Sequence, residues 1–249
     1  MSYCDLTEKT ILVTGASSGI GKQAAIQISQ QGGEVIITGR DDSRLKETFN
    51  DLIGNNHVMI VADLVNEDEI NSLVDSLPVI NGLVHCAGIV GPTPAKFIRE
   101  ENIKKLMRIN FEVPVLLTGR ILLKKKIANA ASIIFMSTVA TQMPYFGGAL
   151  YNSAKSAIES YSKTLALELV KRGIRSNCLS PGLVNTPLIK KPVSDGQMEL
   201  VDESLGRYLK KYPMGIGEAN DVSNAIIFFL SDESKWISGT NLVMGGVLQ

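Results

Sequence analysis

Short β-branched runs, most of them continuously apolar, recur along the chain. They are TILVT (10–14), EVIIT (34–38), HVMIVA (57–62), GLVHCA (82–87), SIIFMS (132–137), IRSNCLS (174–180) and TNLVM (240–244). Most do not alternate with polar residues, which is the pattern of strands buried on both faces in a parallel sheet covered by helices. The stretches between them carry apolar positions at helical spacing. GIGKQAAIQISQQG places Ile20, Ala24 and Ile28 on one stripe and stops at Gly32 and Gly33. NEDEINSLVDSL has Asn66 in position to cap a helix whose first turn is acidic. The stretch from Asn102 to about Lys126 reads as one long helix, bent near Pro114. Tyr151 to Lys171 reads as another, and EANDVSNAIIFFLSD as a last amphipathic helix before the final strand.

This alternation predicts an α/β chain with no internal repeat and no linker, hence a single domain over residues 1–249. The irregular region is about 183–216, with Pro187, Pro192 and Pro213 and mixed polarity. Near the carboxyl ends of parallel strands such an insertion reads as a lid or substrate lobe.

Composition removes several function classes. Lys and Arg together number 25, as do Asp and Glu, so a basic nucleic-acid surface or a polybasic membrane anchor is not expected. The hydrophobic fraction of 45% and mean hydropathy of +0.13 fit a globular chain. No apolar run approaches membrane-spanning length, and MSYCDLTEKTILVTG lacks the pattern of a signal peptide. Cys4, Cys86 and Cys178 are far apart and in no metal-ligand spacing, which reads as reduced thiols in a cytoplasmic protein. His57 and His85 are the two histidines, and no metal site is expected.

TGASSGIG (14–21) follows the first strand and opens the first helix. A helix N-terminus offers free N–H groups and a positive dipole end, which suit a phosphate. Gly15 permits the sharp turn, while Gly19 and Gly21 permit close approach of a cofactor and of helix to strand. This spacing resembles that of the short-chain dehydrogenase/reductase family. Further marks follow in order: Asp63-Leu64 after the third strand, Ala87-Gly88 after the fourth, Asn110 in the long helix, Tyr151 and Lys155, and Pro181-Gly182 after the sixth strand. The resemblance covers almost the whole chain. It implies a doubly wound, seven-stranded parallel sheet of Rossmann type and a nicotinamide cofactor. That cofactor would be held by Gly15, Ser17, Ser18, Gly19, Ile20, Gly21, Asp63, Leu64, Cys86, Ala87, Gly88, Tyr151, Lys155, Pro181 and Gly182.

An acid at the end of the second strand would bond the adenine ribose of NAD, whereas an Arg accommodates the extra phosphate of NADP. The family's acid position holds Gly39, followed by Arg40. A guanidinium suits a phosphate in charge and shape, so the expected cofactor is NADP(H), with NAD(H) as the alternative. Asp41 and Asp42 would take the ribose role if the strand ran longer. Ser18 stands where some NADP-using relatives carry a basic residue, and Ser17 is placed to help hold the phosphate.

Tyr151 and Lys155 are four apart, so one helix face carries both. A free phenol titrates near ~10, and an adjacent ammonium lowers that value by stabilising the phenolate. A shift of ~2–3 units takes about 3–4 kcal/mol. The resemblance makes Tyr151 the proton donor to a carbonyl oxygen and Lys155 the group that lowers its pKa and holds the nicotinamide ribose. It makes Asn110 a residue that bends its helix and holds a water between Lys155 and solvent. The same reading expects Cys86 to be a small buried hydrophobe, because the family's usual Asn-Asn-Ala-Gly is here His85-Cys86-Ala87-Gly88. The family's catalytic hydroxyl lies thirteen residues before the Tyr, which lands on Thr138. Ser137 is one position earlier, and alternation along a strand points the two side chains in opposite directions.

SPGLVNTP (180–187) resembles the segment that clasps the nicotinamide amide, with the Val184 backbone and the Thr186 hydroxyl as contacts. Leu188, Met198, Leu205 and Met214 would line an acyl or alicyclic pocket, or pack the lid. Among subfamilies the chain is most similar to 3-oxoacyl-acyl-carrier-protein reductases. That similarity implies a 3-oxoacyl thioester substrate and an acyl carrier protein partner bound by Lys124, Lys125, Lys126, Lys171 and Arg172. Rival readings are a dehydrogenase of a sugar, polyol or steroid alcohol, and a catalytically weak NADP(H)-binding regulatory protein. The resemblance also implies a homotetramer paired through the helices that carry Asn110 and Tyr151.

Overall fold

A computed structural model describes residues 4–188 and 212–245. Seven strands form one parallel sheet: β1 (Thr10–Thr14), β2 (Glu34–Gly39), β3 (Val58–Val61), β4 (Ile80–His85), β5 (Ile127–Met136), β6 (Arg175–Pro181) and β9 (Asn241–Met244), in the order β3-β2-β1-β4-β5-β6-β9. Each apolar run noted above lies on one of them. Two short strands, β7 (Val184–Asn185) and β8 (Gly217–Glu218), pair separately. Chain order reverses between β1 and β4, which opens a crevice at the carboxyl ends of the strands.

Helices α1 (Gly19–Gln30), α2 (Asp42–Asn50) and α7 (Ala219–Leu230) cover one face, and α3 (Glu67–Ser76), α5 (Val113–Leu123) and α6 (Ala149–Leu169) the other. The two-residue period of a strand divides the core accordingly. Ile11, Val13, Val84 and Ile134 pack beneath α1 and α7, whereas Leu12, Leu83, Ile133 and Phe135 pack beneath α5 and α6. Asn66 caps α3 by accepting from Asp68 N–H at 2.9 Å. Among the described residues no helix is long and apolar enough to cross a membrane.

Two elements depart from the sequence reading. Helix α2 was not expected. Of its nine residues only Leu45 and Phe49 are large and apolar, too few to show a period, and Asp41 starts it by accepting from Arg44 N–H at 3.0 Å. The long helix is in fact α4 (Glu100–Met107), a π turn (Arg108–Glu112) and α5. The irregularity is therefore at Asn110, and Pro114 lies inside the first turn of α5. Pro114 has no N–H to donate to the Asn110 carbonyl four residues back, so the ladder is broken before the proline rather than at it. Helix α5 stops before the lysine run. Lys125 adopts φ +55°, and Lys126 N–H and Lys125 N–H bond Ile121 and Leu122 carbonyls at 2.9 and 3.1 Å, a Schellman ending with Lys in the usual glycine place.

Candidate active site

The crevice is floored by the glycine loop. Gly15 has φ +64°, and a Cβ there would stand 2.7 Å from the Ala87 backbone. A Cβ on Gly21 would stand 2.4 Å from the Gly15 carbonyl oxygen. Loop, helix and the turn after β4 thus meet backbone to backbone. Ala87 N–H also donates to Thr14 Oγ1 at 3.2 Å, a contact that sequence reasoning missed although Thr14 opens the motif. The Ser18 side chain does not cap α1, and the first turn of α1 holds no acid. Its N–H groups remain available to an anion, so the cradle fits a dinucleotide pyrophosphate. Buried Val184 and Thr186 lie over the loop, with Thr186 Cβ 3.3 Å from a Cβ built on Gly19. Pro181 ends β6, and Gly182 N–H donates to the Met244 carbonyl. A Cβ on Gly182 would stand 2.4 Å from the Tyr212 ring.

Beside the loop, β2 ends at Gly39, where a Cβ would be 3.5 Å from Ser17 Oγ. Arg40 follows, exposed and with no hydrogen bond or ion pair to any described residue. Asp41 is committed elsewhere: its carboxylate accepts from Arg44 N–H and Nε–H, which hold its carboxyl below the usual carboxylate range. Asp63 accepts from Val65 N–H at 3.1 Å in the turn after β3, and Leu64 is buried beneath it.

On the opposite wall α6 carries Tyr151, half-buried, and Lys155, buried. Lys155 Nζ lies 5.7 Å from the Tyr151 ring centroid and donates to the Met136 carbonyl at 2.8 Å. Burial pushes the ammonium down to about 8. Gly88 separates it from Asn110: a Cβ there would be 3.6 Å from Lys155 Nζ and 2.9 Å from Asn110 Oδ1. Asn110 is buried in its π turn and clamps the chain after β4. Its Nδ2 donates to the Ile89 and Leu106 carbonyls, and its Oδ1 accepts from Ile89 N–H at 3.2 Å.

The two hydroxyls after β5 diverge. Ser137 is buried and donates to Glu159 Oε1 on α6 at 2.5 Å. Thr138 is half-buried, and its Oγ1 accepts from Ala140 N–H at 3.2 Å, which leaves its own proton free to donate. Cys86 differs from expectation in being half-buried rather than buried, since it sits at the edge of the core against Gly21. Its thiol is pushed up to about 12 by the apolar surroundings and stays protonated. His85 is buried, stacked on Phe135 at 4.8 Å and bonded to Thr118 Oγ1 at 2.9 Å; burial pushes it down to about 3, so it is neutral. Of the apolar residues assigned to a pocket, Met198 and Leu205 lie outside the described residues, Leu188 is half-buried and Met214 is exposed. Most of the expected lid also lies outside them. No group of side chains able to hold a metal ion occurs among the described residues.

Known proteins resemble this chain over nearly its full length. The family model described as enoyl-(acyl carrier protein) reductase matches residues 15–247. A 3-oxoacyl-(acyl-carrier-protein) reductase of Rickettsia felis is 32% identical, over 98% of each chain. A glucose 1-dehydrogenase of Gluconobacter oxydans is 31% identical, over 96% of this chain and 91% of its own. A solved structure described as a short chain dehydrogenase/reductase family protein superposes with a TM-score of 0.83 at 27% identity, covering 97% of this chain and 98% of its own.

Proposed function

The chain belongs to the short-chain dehydrogenase/reductase family, and on that premise we propose that it is an NADP(H)-dependent reductase of a 3-oxoacyl thioester, or catalyses the reverse oxidation. The observation that carries this reading is the pairing of Tyr151 with a buried, carbonyl-anchored Lys155 across the crevice from the glycine cradle. When bound, the nicotinamide supplies or accepts the hydride. Tyr151 donates the proton that the reduced carbonyl oxygen requires. Lys155 stabilises the resulting phenolate electrostatically, and a site shielded from water strengthens that effect. Thr138 donates a hydrogen bond to the same carbonyl oxygen and polarises it. Arg40, exposed beside Ser17 and without an acid at Gly39 to oppose it, takes the 2′-phosphate of NADP.

The thioester reading is supported by the Rickettsia relative, and a sugar alcohol by the glucose dehydrogenase relative. An acyl carrier protein would meet fewer of the basic residues than their number suggests. Lys124 pairs with Asp75, Lys126 bonds the Leu77 carbonyl, and Arg172 bonds the Ile127 carbonyl and Asn129. Lys125 and Lys171 remain exposed for such a partner. Assembly as a homotetramer belongs to the same reading. Leu123 and Leu167 are 80% and 75% exposed on α5 and α6, and an interface between copies would cover them. In light scattering a mass near the 26.9 kDa of one chain would refute it.

Initial rates on acetoacetyl and longer 3-oxoacyl thioesters, with glucose and alicyclic alcohols as rivals, test the substrate. NADPH should be preferred to NADH. Arg40→Ala should lower kcat/KM for NADPH by about 10- to 100-fold, the loss of one charge-assisted contact, and leave NADH almost unchanged. Preference for NADH in the unmodified protein would refute the cofactor assignment. Turnover of the alcohols alone would move the substrate to the rival class, and no turnover at all would favour a regulatory role.

A further inference from the structure

We infer that Glu159 is a positioning residue, whose carboxylate holds the turn bearing Thr138 in register with Tyr151 and Lys155. The inference rests on the reading of Thr138 as the polarising hydroxyl. Glu159 lies on α6 one turn beyond Lys155 and two beyond Tyr151, so the same rigid helix carries all three. Its Oε1 accepts from Ser137 Oγ at 2.5 Å and lies 3.0 Å from Thr141 Oγ1 and 3.3 Å from Ser180 Oγ, each of which shares its one proton between Glu159 and a second acceptor. They come from the chain just after β5, the 3₁₀ turn Val139–Thr141 and the end of β6.

Ser137 and Thr141 bracket Thr138 in the chain. Thr141 also reaches the Thr138 carbonyl through Oγ1 at 3.0 Å and through N–H at 3.3 Å. On the far side Ser180 reaches Asn241 Oδ1 on β9 at 2.7 Å. A single carboxylate thus fastens both flanks of a short turn, and the end of the neighbouring strand, to the helix that holds the proton donor. Thr138 itself needs such support, because its hydroxyl has only the Ala140 N–H as described partner. Hydrogen bonds to an ionised acceptor are stronger than neutral ones, and misplacing a catalytic group by 1 Å costs about 100-fold in rate.

A double-mutant cycle tests this, with kcat on the best carbonyl substrate, the Kd for NADPH and the thermal midpoint as readouts. Thr138→Val should lower kcat far more than Ser137→Ala, because Thr141 and Ser180 still hold Glu159 in the latter. Glu159→Leu should lower kcat about 10- to 100-fold with the NADPH Kd unchanged, and should cost almost nothing further when combined with Thr138→Val. Glu159→Gln keeps an amide oxygen and should recover most of the loss. It also carries the cycle, with a fall of about 3- to 10-fold, if the leucine variant does not fold. A Glu159→Leu enzyme as fast as the unmodified one, or a loss of equal size in both backgrounds, would overturn the inference and leave the Thr138 reading intact. A Thr138→Val enzyme that is fully active, or less affected than Ser137→Ala, would overturn both.

Discussion

Tyr151→Phe is expected to lower kcat by about 10²- to 10⁴-fold, the range of a positioned proton donor, with the Kd for NADPH changed less than twofold. The substitution keeps the ring beside Lys155 and removes only the hydroxyl. Single-turnover rates and a cofactor titration on the same sample check it, and a variant retaining a tenth of the activity would exclude Tyr151 as the donor. Lys155 adds a signature in stability. Its folded pKa of about 8 lies below the ordinary lysine value of 10.5, so between those values the unfolded chain binds more protons than the folded one. Burial of the ammonium therefore costs stability in full below about pH 8, roughly 3 kcal/mol, and the cost fades as pH rises towards 10.5. Lys155→Met should be inactive, and its stability relative to the unmodified protein should improve as pH is lowered from 10 to 7. A difference that does not vary with pH would mean that Lys155 is not buried as an ammonium.

Gly21→Ala should damage the fold and the cofactor site together. The new Cβ would stand 2.4 Å from the Gly15 carbonyl oxygen and 2.8 Å from its carbon. Both are backbone atoms at a turn with φ +64°, so neither can yield as a flexible side chain would. Relief requires α1 to move off β1, which displaces the N–H groups at its N-terminus that the proposed function assigns to the pyrophosphate. The expected loss is about 2–4 kcal/mol in denaturant unfolding, with NADPH affinity down at least tenfold. Gly39→Ala is the control, since its Cβ would find only ordinary contacts at 3.5 Å or more and should cost less than about 1 kcal/mol. Equal effects at the two glycines would show that crowding at the cradle is not what selects Gly21.

Much of this site is legible along the chain because its parts are local. Tyr151 and Lys155 are one helical turn apart, and the glycine loop spans eight consecutive residues between a strand and a helix. The central strands β1, β2 and β4 and the second half of β5 are equally legible, since a parallel strand covered on both faces is apolar at nearly every position, whereas the edge strands β3 and β9 are half-exposed and β6 carries Arg175, Ser176 and Asn177. Helix α2 was not, because its two large apolar residues, although four apart, are too few to establish a period, and its start depends on the capping carboxylate of Asp41. The irregularity lies where the resemblance puts it, at Asn110, and not at Pro114, for a related reason. Proline marks where a donor is missing, but the helix registers the loss at the acceptor four residues earlier, at Asn110.

The sequence by itself determined the layered α/β architecture, the glycine loop between β1 and α1 and the Tyr–Lys pair, because each follows from residue type and short spacing. Alternation also made Ser137 and Thr138 point apart. Which of them lies against α6 was decided only in three dimensions, when Glu159 drew in hydroxyls from beyond β5 and from β6, up to 22 residues away in the chain. The commitment of Asp41 to Arg44, the half-burial of Cys86 and the clamp of Asn110 on Ile89 were likewise set by packing. A hydrogen bond between distant segments depends on how helices and strands stack, and no local pattern of residues encodes that distance.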